Sequence, residues 1–403
     1  MARSFSAFLN DTLVGSLSED DAGNVGWRFG ESYRRRDPRP VLSQSFEDDL
    51  DRVYRPRDAR HLPVYFANLL PEGRLKGILA KSVGVAEDDE LGLLAAVGRD
   101  LPGALSLSAQ PDSEARIDDA TPEDYEDSKH EPRLSFSLAG VQLKFSLIEK
   151  KDRFALPARD SAGDWIVKIA SSEYAGLVEN EFAMLEWAAR IGVAVPEKRI
   201  LGHEQLEDIR SHFPAETNAL ALKRFDRDSG TSIHQEDFAQ VLGFGPQRKY
   251  DSSYETLASV ILALMGETEV LEFLKRLAFT VAIGNNDGHL KNWSIVYPDG
   301  MTPTLAPMYD QVATVAWPGM DLTLALKFAG ARDFGRVSLG SFLRLAKKLD
   351  LDVGICEGVV SSTLGSLAKT WSDVAALLPE GHRAAILEHW KRVPLLRESG
   401  YTL

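Results

Sequence analysis

Cysteine is almost missing from this chain. Cys356 is the only one among 403 residues, which rules out an internal disulfide framework and a thiolate metal cage. No apolar run approaches the length of a membrane span, and the opening Met-Ala-Arg-Ser-Phe-Ser holds no apolar stretch of signal-peptide length. A cytoplasmic protein with no membrane contact is the expectation. Basic residues are outnumbered, 46 Lys and Arg against 60 Asp and Glu, for a formal net charge of -14. An autonomous nucleic-acid binder would usually carry a basic face, although this balance is compatible with a basic protein partner. The one basic run, Arg34-Arg35-Arg36 with Arg39 nearby, reads as a solvated loop. There is no Walker sequence, no G-x-G-x-x-G and no internal repeat. The 44% hydrophobic and 26% charged content is that of an ordinary globular protein. Its length exceeds one small core, so two or three domains are expected.

What is present is a spacing of carboxylates and amides. Asp287-Gly288-His289-Leu290-Lys291-Asn292 sets an aspartate five residues before an asparagine, and an isolated Asp310 follows in Met308-Tyr309-Asp310-Gln311. Phosphoryl transfer needs one carboxylate to orient the hydroxyl nucleophile, and an amide plus a second carboxylate to hold magnesium on the nucleotide phosphates. The protein-kinase catalytic loop uses the same five-residue separation. Taken alone the hexapeptide resembles any surface turn. Its surroundings are more specific. The apolar positions Leu271, Leu274, Leu277, Ala278 and Val281 predict a buried helix before it, stopped by Gly284. Trp293, Ile295 and Val296 predict a strand after it, with a turn at Asp299-Gly300 and a return through Leu305. Asp310 then lies in the kinase order, without an Asp-Phe-Gly sequence. His289 has no second histidine at zinc-ligand spacing, so it reads as structural or phosphate-facing.

Lys168 stands in the compact strand pattern Trp165 to Ile169. It either snorkels at a sheet edge or points into a cleft. The helix predicted over Leu177 to Ile191 carries Glu181 on its apolar face, where a carboxylate needs a cationic partner. A strand lysine paired with a glutamate of the next helix is how kinases hold nucleotide phosphates. Ser137 to Lys144, which includes Ala139, Gly140, Val141 and Gln142, reads as a turn between strands. Its backbone N–H groups could cradle phosphate, but with one glycine an ordinary hairpin is the simpler reading. Arg224-Phe225 follows the predicted strand Ala219 to Leu222, where a kinase hinge would pass the adenine.

Along the chain, residues 1–108 read as a mixed α/β unit, 109–133 as an acidic linker or peripheral helix, 134–225 as strand-rich with one helix, and 226–403 as mainly helical. The expected fold is α+β: a protein-kinase-like bilobal body with an N-terminal α/β subdomain.

Together these motifs resemble the HipA kinases, the toxins of bacterial HipBA-type toxin–antitoxin modules. The resemblance runs nearly end to end. It rests on Phe66-Ala67-Asn68-Leu69-Leu70-Pro71-Glu72, Gly98-Arg99-Asp100, Ser137-Leu138-Ala139-Gly140-Val141-Gln142-Leu143-Lys144, Asn180-Glu181, Arg224-Phe225-Asp226, Gln235-Glu236-Asp237 and Tyr309-Asp310. It implies a serine/threonine protein kinase using ATP and Mg2+. Asp287 would be the catalytic aspartate, Asn292 and Asp310 would hold magnesium, and Lys168 would contact the phosphates. The Ser137 loop, Lys144, Arg224, Phe225, His289 and Lys291 would border ATP, with Glu181 and Tyr309 in support. Ser137 would be the autophosphorylated serine, where a dianion repels the nucleotide. The implied substrate is an aminoacyl-tRNA synthetase, glutamyl-tRNA synthetase being the prototype, with growth arrest as the result. The implied partner is a HipB-like helix-turn-helix antitoxin, with operator DNA reached mainly through it. Lys223 departs from the acidic hinge residue of the prototype. Two rival readings are a small-molecule phosphotransferase, which shares the Asp–Asn spacing, and a catalytically silent co-repressor that bridges antitoxin dimers on DNA.

Overall fold

Short alternating runs build the first sheet. Ser4–Leu9 (β1), Thr12–Glu19 (β2) and Val25–Phe29 (β3) form an antiparallel meander. Gly15 of β2 is required there, because a Cβ would lie 2.2 Å from the Arg28 carbonyl oxygen. Tyr54–Arg55 (β4), Leu105–Ala109 (β5) and Thr121–Pro122 (β6) complete a six-stranded sheet in the order β5-β1-β2-β3-β4-β6. Glu31–Arg34 (α1), Val64–Ala67 (α2), Arg74–Val83 (α3) and Glu90–Val97 (α4) accompany it. The unit has its own core, centred on the touching rings of Trp27, Phe29, Phe46, Tyr65 and Phe66.

The computed structural model describes residues 3–56, 60–109, 121–122, 143–157, 162–170 and 173–403. Ser137, Ala139, Gly140, Val141 and Gln142 lie outside the described residues, as does most of the expected acidic linker. Of that linker, residues 121–122 join the N-terminal sheet as β6, parallel to β4.

Lys144–Lys150 (β7), Arg153–Ala155 (β8), Trp165–Ile169 (β9), Lys198–Leu201 (β10) and Ala219–Lys223 (β11) form the second sheet, ordered β10-β11-β9-β7-β8. β9 is central, so its residues are shielded on both sides. The β7–β8 turn is made by Lys151 and Asp152 at φ +51° and +63°, without the glycine or asparagine that usually marks a hairpin. Leu177–Arg190 (α5) packs behind this sheet, and Gly192 at φ +77° follows its end. Its Trp187 reaches into the helical lobe, 5.0 Å from Trp371 between ring centroids.

Arg227–Asp228 (β12), Thr231–Ser232 (β13), His234–Asp237 (β14), Ser294–Tyr297 (β15) and Thr304–Leu305 (β16) are short pairings after the hinge. Phe238–Val241 (α6), Tyr254–Met265 (α7), Glu267–Ile283 (α8), Leu339–Lys348 (α9), Val353–Ala375 (α10) and Glu380–Arg392 (α11) supply most of the largest core. The pattern Val359 to Leu378 understated α10. Asp352 caps the helix earlier by accepting the Ile355 N–H at 2.9 Å. The result is an α+β body of a β-rich lobe, a hinge and a helical lobe, with the N-terminal unit laid against all three. Among the described residues no helix is long and apolar enough to cross a membrane.

Candidate active site

A cavity of about 560 Å³ opens where the two lobes and the N-terminal unit meet. Ile166, Leu222 and Val312 give it apolar wall, while Lys168, Asp287, Asn292 and Asp310 border it with charge and amide. This mixture of apolar wall and few convergent polar groups is typical of a small-molecule site.

The loop carrying Asp287 is fixed by its neighbours. Buried α8 ends at Gly284, φ +69°, where a Cβ would lie 2.5 Å from Val315 Cγ1. Only glycine fits that left-handed, crowded exit. Asn285 Oδ1 then accepts the Asp287 N–H at 2.9 Å, and Asn285 Nδ2 donates to Gln311 Oε1 at 3.3 Å. The Thr314 hydroxyl donates to the Gly284 carbonyl at 2.8 Å and accepts the Asn286 N–H at 2.8 Å. The Asp287 loop and the Asp310 loop are thereby braced against each other. Asn292 Nδ2 donates to the Asp287 carbonyl at 2.7 Å, so the five-residue spacing closes a small ring. Asn292 Oδ1 accepts nothing among the described residues and is left as an oxygen donor at the cavity.

The charges are organised by burial. Desolvation raises the Asp287 carboxyl to about 6, against the pull of the Tyr250 hydroxyl, which donates to it at 2.8 Å, and of the Lys249 ammonium. Lys168 is 3% exposed and ion-pairs with both Glu181 and Asp310. Burial pulls its ammonium down, and the Asp310 and Glu181 carboxylates outweigh burial and hold it above the ordinary lysine value. Asp310 sits at φ +51°, a left-handed backbone that aspartate tolerates better than most residues. Burial pushes its carboxyl up, but Lys144, which donates to it at 3.2 Å, and Lys168 drive it well below the usual range. Glu181 is pushed the other way, by burial and by Asp310. Lys168 therefore points into the cleft and pairs with Glu181 of α5.

The hinge residues divide. Phe225 places its ring 5.7 Å from that of Tyr309 and lines the cavity. Tyr309 is held by Ser294 and donates to the Lys291 carbonyl at 3.0 Å. The Arg224 guanidinium was expected beside ATP, and here its donors are already spent. They go to Asp226 at 2.9 and 2.8 Å, to the Leu101 carbonyl at 2.9 Å, to Asp100 and to Ser146. Its side chain ties the hinge to the N-terminal unit. His289 is buried and burial holds its imidazole well below the ordinary value, so it is neutral. Its Nδ1 has no hydrogen-bond partner among the described residues, a polar atom that a bound phosphate or hydroxyl would satisfy. Lys291 Nζ donates to the Asn68 carbonyl at 2.7 Å and lies 3.3 Å from Glu72. Glu72 also accepts from Lys249 at 2.7 Å. Burial pushes the Glu72 carboxyl up, but Lys291 and Lys249 hold it down at about 2.

The structure thus brings Lys144, Lys168, Glu181, Arg224, Phe225, Asp287, His289, Lys291, Asn292, Tyr309 and Asp310 to one cavity. Sequence reasoning assigned no site role to Glu72, Lys249, Tyr250 or Asn285. Each is far in sequence from what it contacts or is an ordinary loop residue, and only the Phe66–Glu72 stretch drew notice. Among the described residues no group of three or more His, Cys, Asp and Glu side chains could hold a metal. The Asp310 carboxylate and Asn292 Oδ1 nonetheless are the hard oxygen donors that magnesium takes when phosphates and water supply the remainder.

Two family models cover most of the chain: HipA N-terminal domain over residues 5–108 and HipA-like C-terminal domain over residues 136–371. The candidate kinase Y4dM of Sinorhizobium fredii is 36% identical over 401 residues, covering 96% of each chain. The serine/threonine-protein kinase toxin HipA of Shewanella oneidensis is 27% identical over 436 residues, covering 98% of this chain and 94% of that one. A solved Shewanella oneidensis complex of HipA, HipB and operator DNA matches with a TM-score of 0.75 at 22% identity, covering 98% of this chain and 96% of that chain. That likeness establishes a common fold.

Proposed function

The chain belongs to the HipA family of serine/threonine protein kinases, and from that premise we propose that it moves the γ-phosphoryl group of ATP, with magnesium, onto a serine or threonine of a protein. The carrying observation is convergence: Lys168, the Asp287–Asn292 loop and Asp310 come from three separate stretches and border one cavity. Asp287 accepts the hydrogen bond of the acceptor hydroxyl and takes its proton as the new O–P bond forms and the bond from the γ-phosphorus to the bridging oxygen breaks, ADP leaving with that electron pair. Its carboxyl at about 6 is ionised at neutral pH yet basic enough for that task. Lys168, fixed by Glu181, offers its ammonium to the nucleotide phosphates. Asp310 and Asn292 would hold magnesium, which supplies charge neutralisation on the phosphates. To do so, Asp310 must exchange a lysine contact for the cation. Phe225, Ile166 and Leu222 offer the flat apolar wall an adenine requires.

In this reading residues 1–108 are the N-terminal subdomain, 109–133 a linker, 134–225 the small lobe and 226–403 the large lobe. The protein acts in the cytoplasm as the toxin of a toxin–antitoxin pair. Its target is an aminoacyl-tRNA synthetase, and growth arrest follows. A helix-turn-helix antitoxin like HipB is its partner and carries it to operator DNA; a chain of net charge -14 is suited to a basic partner rather than to DNA directly. Ser137 is its autophosphorylation site. Intact mass after incubation with ATP and magnesium tests the core of this reading. One added phosphate on the wild type, absent from Asp287→Ala and mapped to Ser137, is expected. No added phosphate, with no nucleotide-dependent rise in melting temperature, would refute the kinase. Phosphate at another residue would refute only the role of Ser137.

A further inference from the structure

The cavity has a wall that a two-lobed kinase would lack. Asn68 and Glu72, both in the N-terminal unit, reach the catalytic loop. The chain arrives there by a short route: α2 ends at Ala67, and Pro71 and Gly73, the latter at φ +56°, turn it back. Asn68 is 6% exposed and locked, its Nδ2 donating to the Val64 carbonyl at 3.0 Å and to the Phe244 carbonyl of the helical lobe at 2.8 Å. The turn presenting Glu72 is therefore anchored on both units.

Glu72 sits between two ammonium groups that flank the Asp287 loop. Lys291 is next to Asn292 and four residues beyond Asp287. Lys249 accepts the Leu290 N–H on its carbonyl at 3.1 Å and stands 5.6 Å from the centre of the Tyr250 ring. Tyr250 in turn donates to Asp287. Negative charge spreads over the transferring phosphoryl group in the transition state, and preorganised cations aimed there lower the barrier. A lysine is a point charge on a flexible stem and must be held to count as preorganised. For Lys291 the holding groups are the Asn68 carbonyl, Glu72 and, at 3.8 Å, Asp237. Two of the three belong to the N-terminal unit.

We propose that Glu72 is a positioning residue for phosphoryl transfer, holding Lys291 and Lys249 beside Asp287, so that the docked N-terminal unit completes the active site. This rests on the kinase reading above. Glu72 touches neither nucleotide nor acceptor; it acts through the lysines.

The test uses the full chain and the first-turnover rate of ADP release from ATP and magnesium, with Ser137 as the acceptor; kcat here is that rate at saturating ATP and KM the ATP concentration giving half of it. Glu72→Gln is expected to lower kcat by about tenfold and to change the KM for ATP by less than about twofold, because uniform nucleotide binding is not what Glu72 supplies. Glu72→Asp is expected to recover part of the loss. In a Lys291→Met, Lys249→Met background, Glu72→Gln is expected to cost nothing further, the signature of an effect passed through those residues. Equal activity of Glu72→Gln and wild type, or an equal loss in both backgrounds, would overturn the positioning role and leave the kinase standing. A matched loss of kcat and melting temperature, unrelieved by Glu72→Asp, would also overturn it and make Glu72 a structural tie. A wild type that releases no ADP would overturn the kinase reading itself.

Discussion

Glu236 offers a stability experiment whose sign depends on pH. It lies in β14, 1% exposed, facing the N-terminal unit. Its carboxylate accepts the Ser43 hydroxyl at 2.6 Å, the Gln44 N–H at 3.1 Å and the Tyr297 hydroxyl, with no cation against it. Burial outweighs these donors and lifts the carboxyl to about 7 from an ordinary 4.5. That rise corresponds to ~3 kcal/mol between the two protonation states. Because the folded value is the higher one, the fold favours the protonated form. That contribution is fully present below about 4.5 and is lost as pH climbs through about 7. Neighbouring His234, which burial holds down at about 4, stays neutral in the fold and costs stability below about 6.5, where the unfolded chain binds its proton; that cost is common to both proteins and cancels in their difference. Glu236→Gln removes the titration while keeping the shape and the acceptor oxygen. We expect it to match the wild type within ~1 kcal/mol at pH 5 and to exceed it by up to ~3 kcal/mol at pH 8. Urea unfolding of both proteins at each pH, followed by tryptophan fluorescence, measures this. A variant less stable than wild type at pH 8, or a difference that does not change with pH, would refute the argument.

Lys168→Met should cost ~3–5 kcal/mol, because Glu181 is left buried and unpaired. Adding Glu181→Leu should restore most of that stability but no ADP release, and denaturant midpoints with turnover on the two variants check both halves. Asp287→Asn should lower turnover by about 10²–10⁴-fold while the melting-temperature rise with ATP persists. In the wild type the turnover should fall as pH drops through about 6, where Asp287 takes up its proton; a pH–rate profile flat from 5 to 8 would contradict this. Asp310→Asn should keep the left-handed backbone and lose the magnesium-dependent part of ATP stabilisation, read as melting temperature with and without EDTA. Here asparagine is a better probe than alanine, which would add ~1 kcal/mol or more of backbone strain to the loss of the ligand.

What could be read in advance was what local pattern encodes. The strand at Trp165 to Ile169, the α5 helix, the Gly284 stop and the hairpin after Asn292 each follow from periodicity or a turn residue, and each is where expected. That Glu181 needs a cation was legible, because a carboxylate on an apolar helix face requires one; that Lys168 supplies it is what the structure adds. The β7–β8 hairpin was not, since Lys151-Asp152 is an unusual pair to turn on. The fate of Arg224 was hidden for another reason. Its position at the hinge was readable, but Asp100, lying 124 residues away, claims its guanidinium, and no local rule reports a partner at that separation. Glu72 and Lys249, 177 residues apart, escaped notice in the same way.

The ties at Arg224 bear on motion. A two-lobed kinase admits and releases nucleotide by swinging about one hinge. Here the N-terminal unit spans that hinge like a splint. Asp100 grips Arg224 at the pivot and accepts the Gly163 N–H of the small lobe at 3.4 Å. Asn68 and Gly103 reach the Phe244 carbonyl and the Asp226 carboxylate on the far side. A wide opening would have to part Asp100 from Arg224 and release the bonds at Asn68 and Gly103 together, so such excursions are disfavoured. The molecule should therefore exchange nucleotide by small breathing at the cavity mouth, and ADP should dwell long after each turnover.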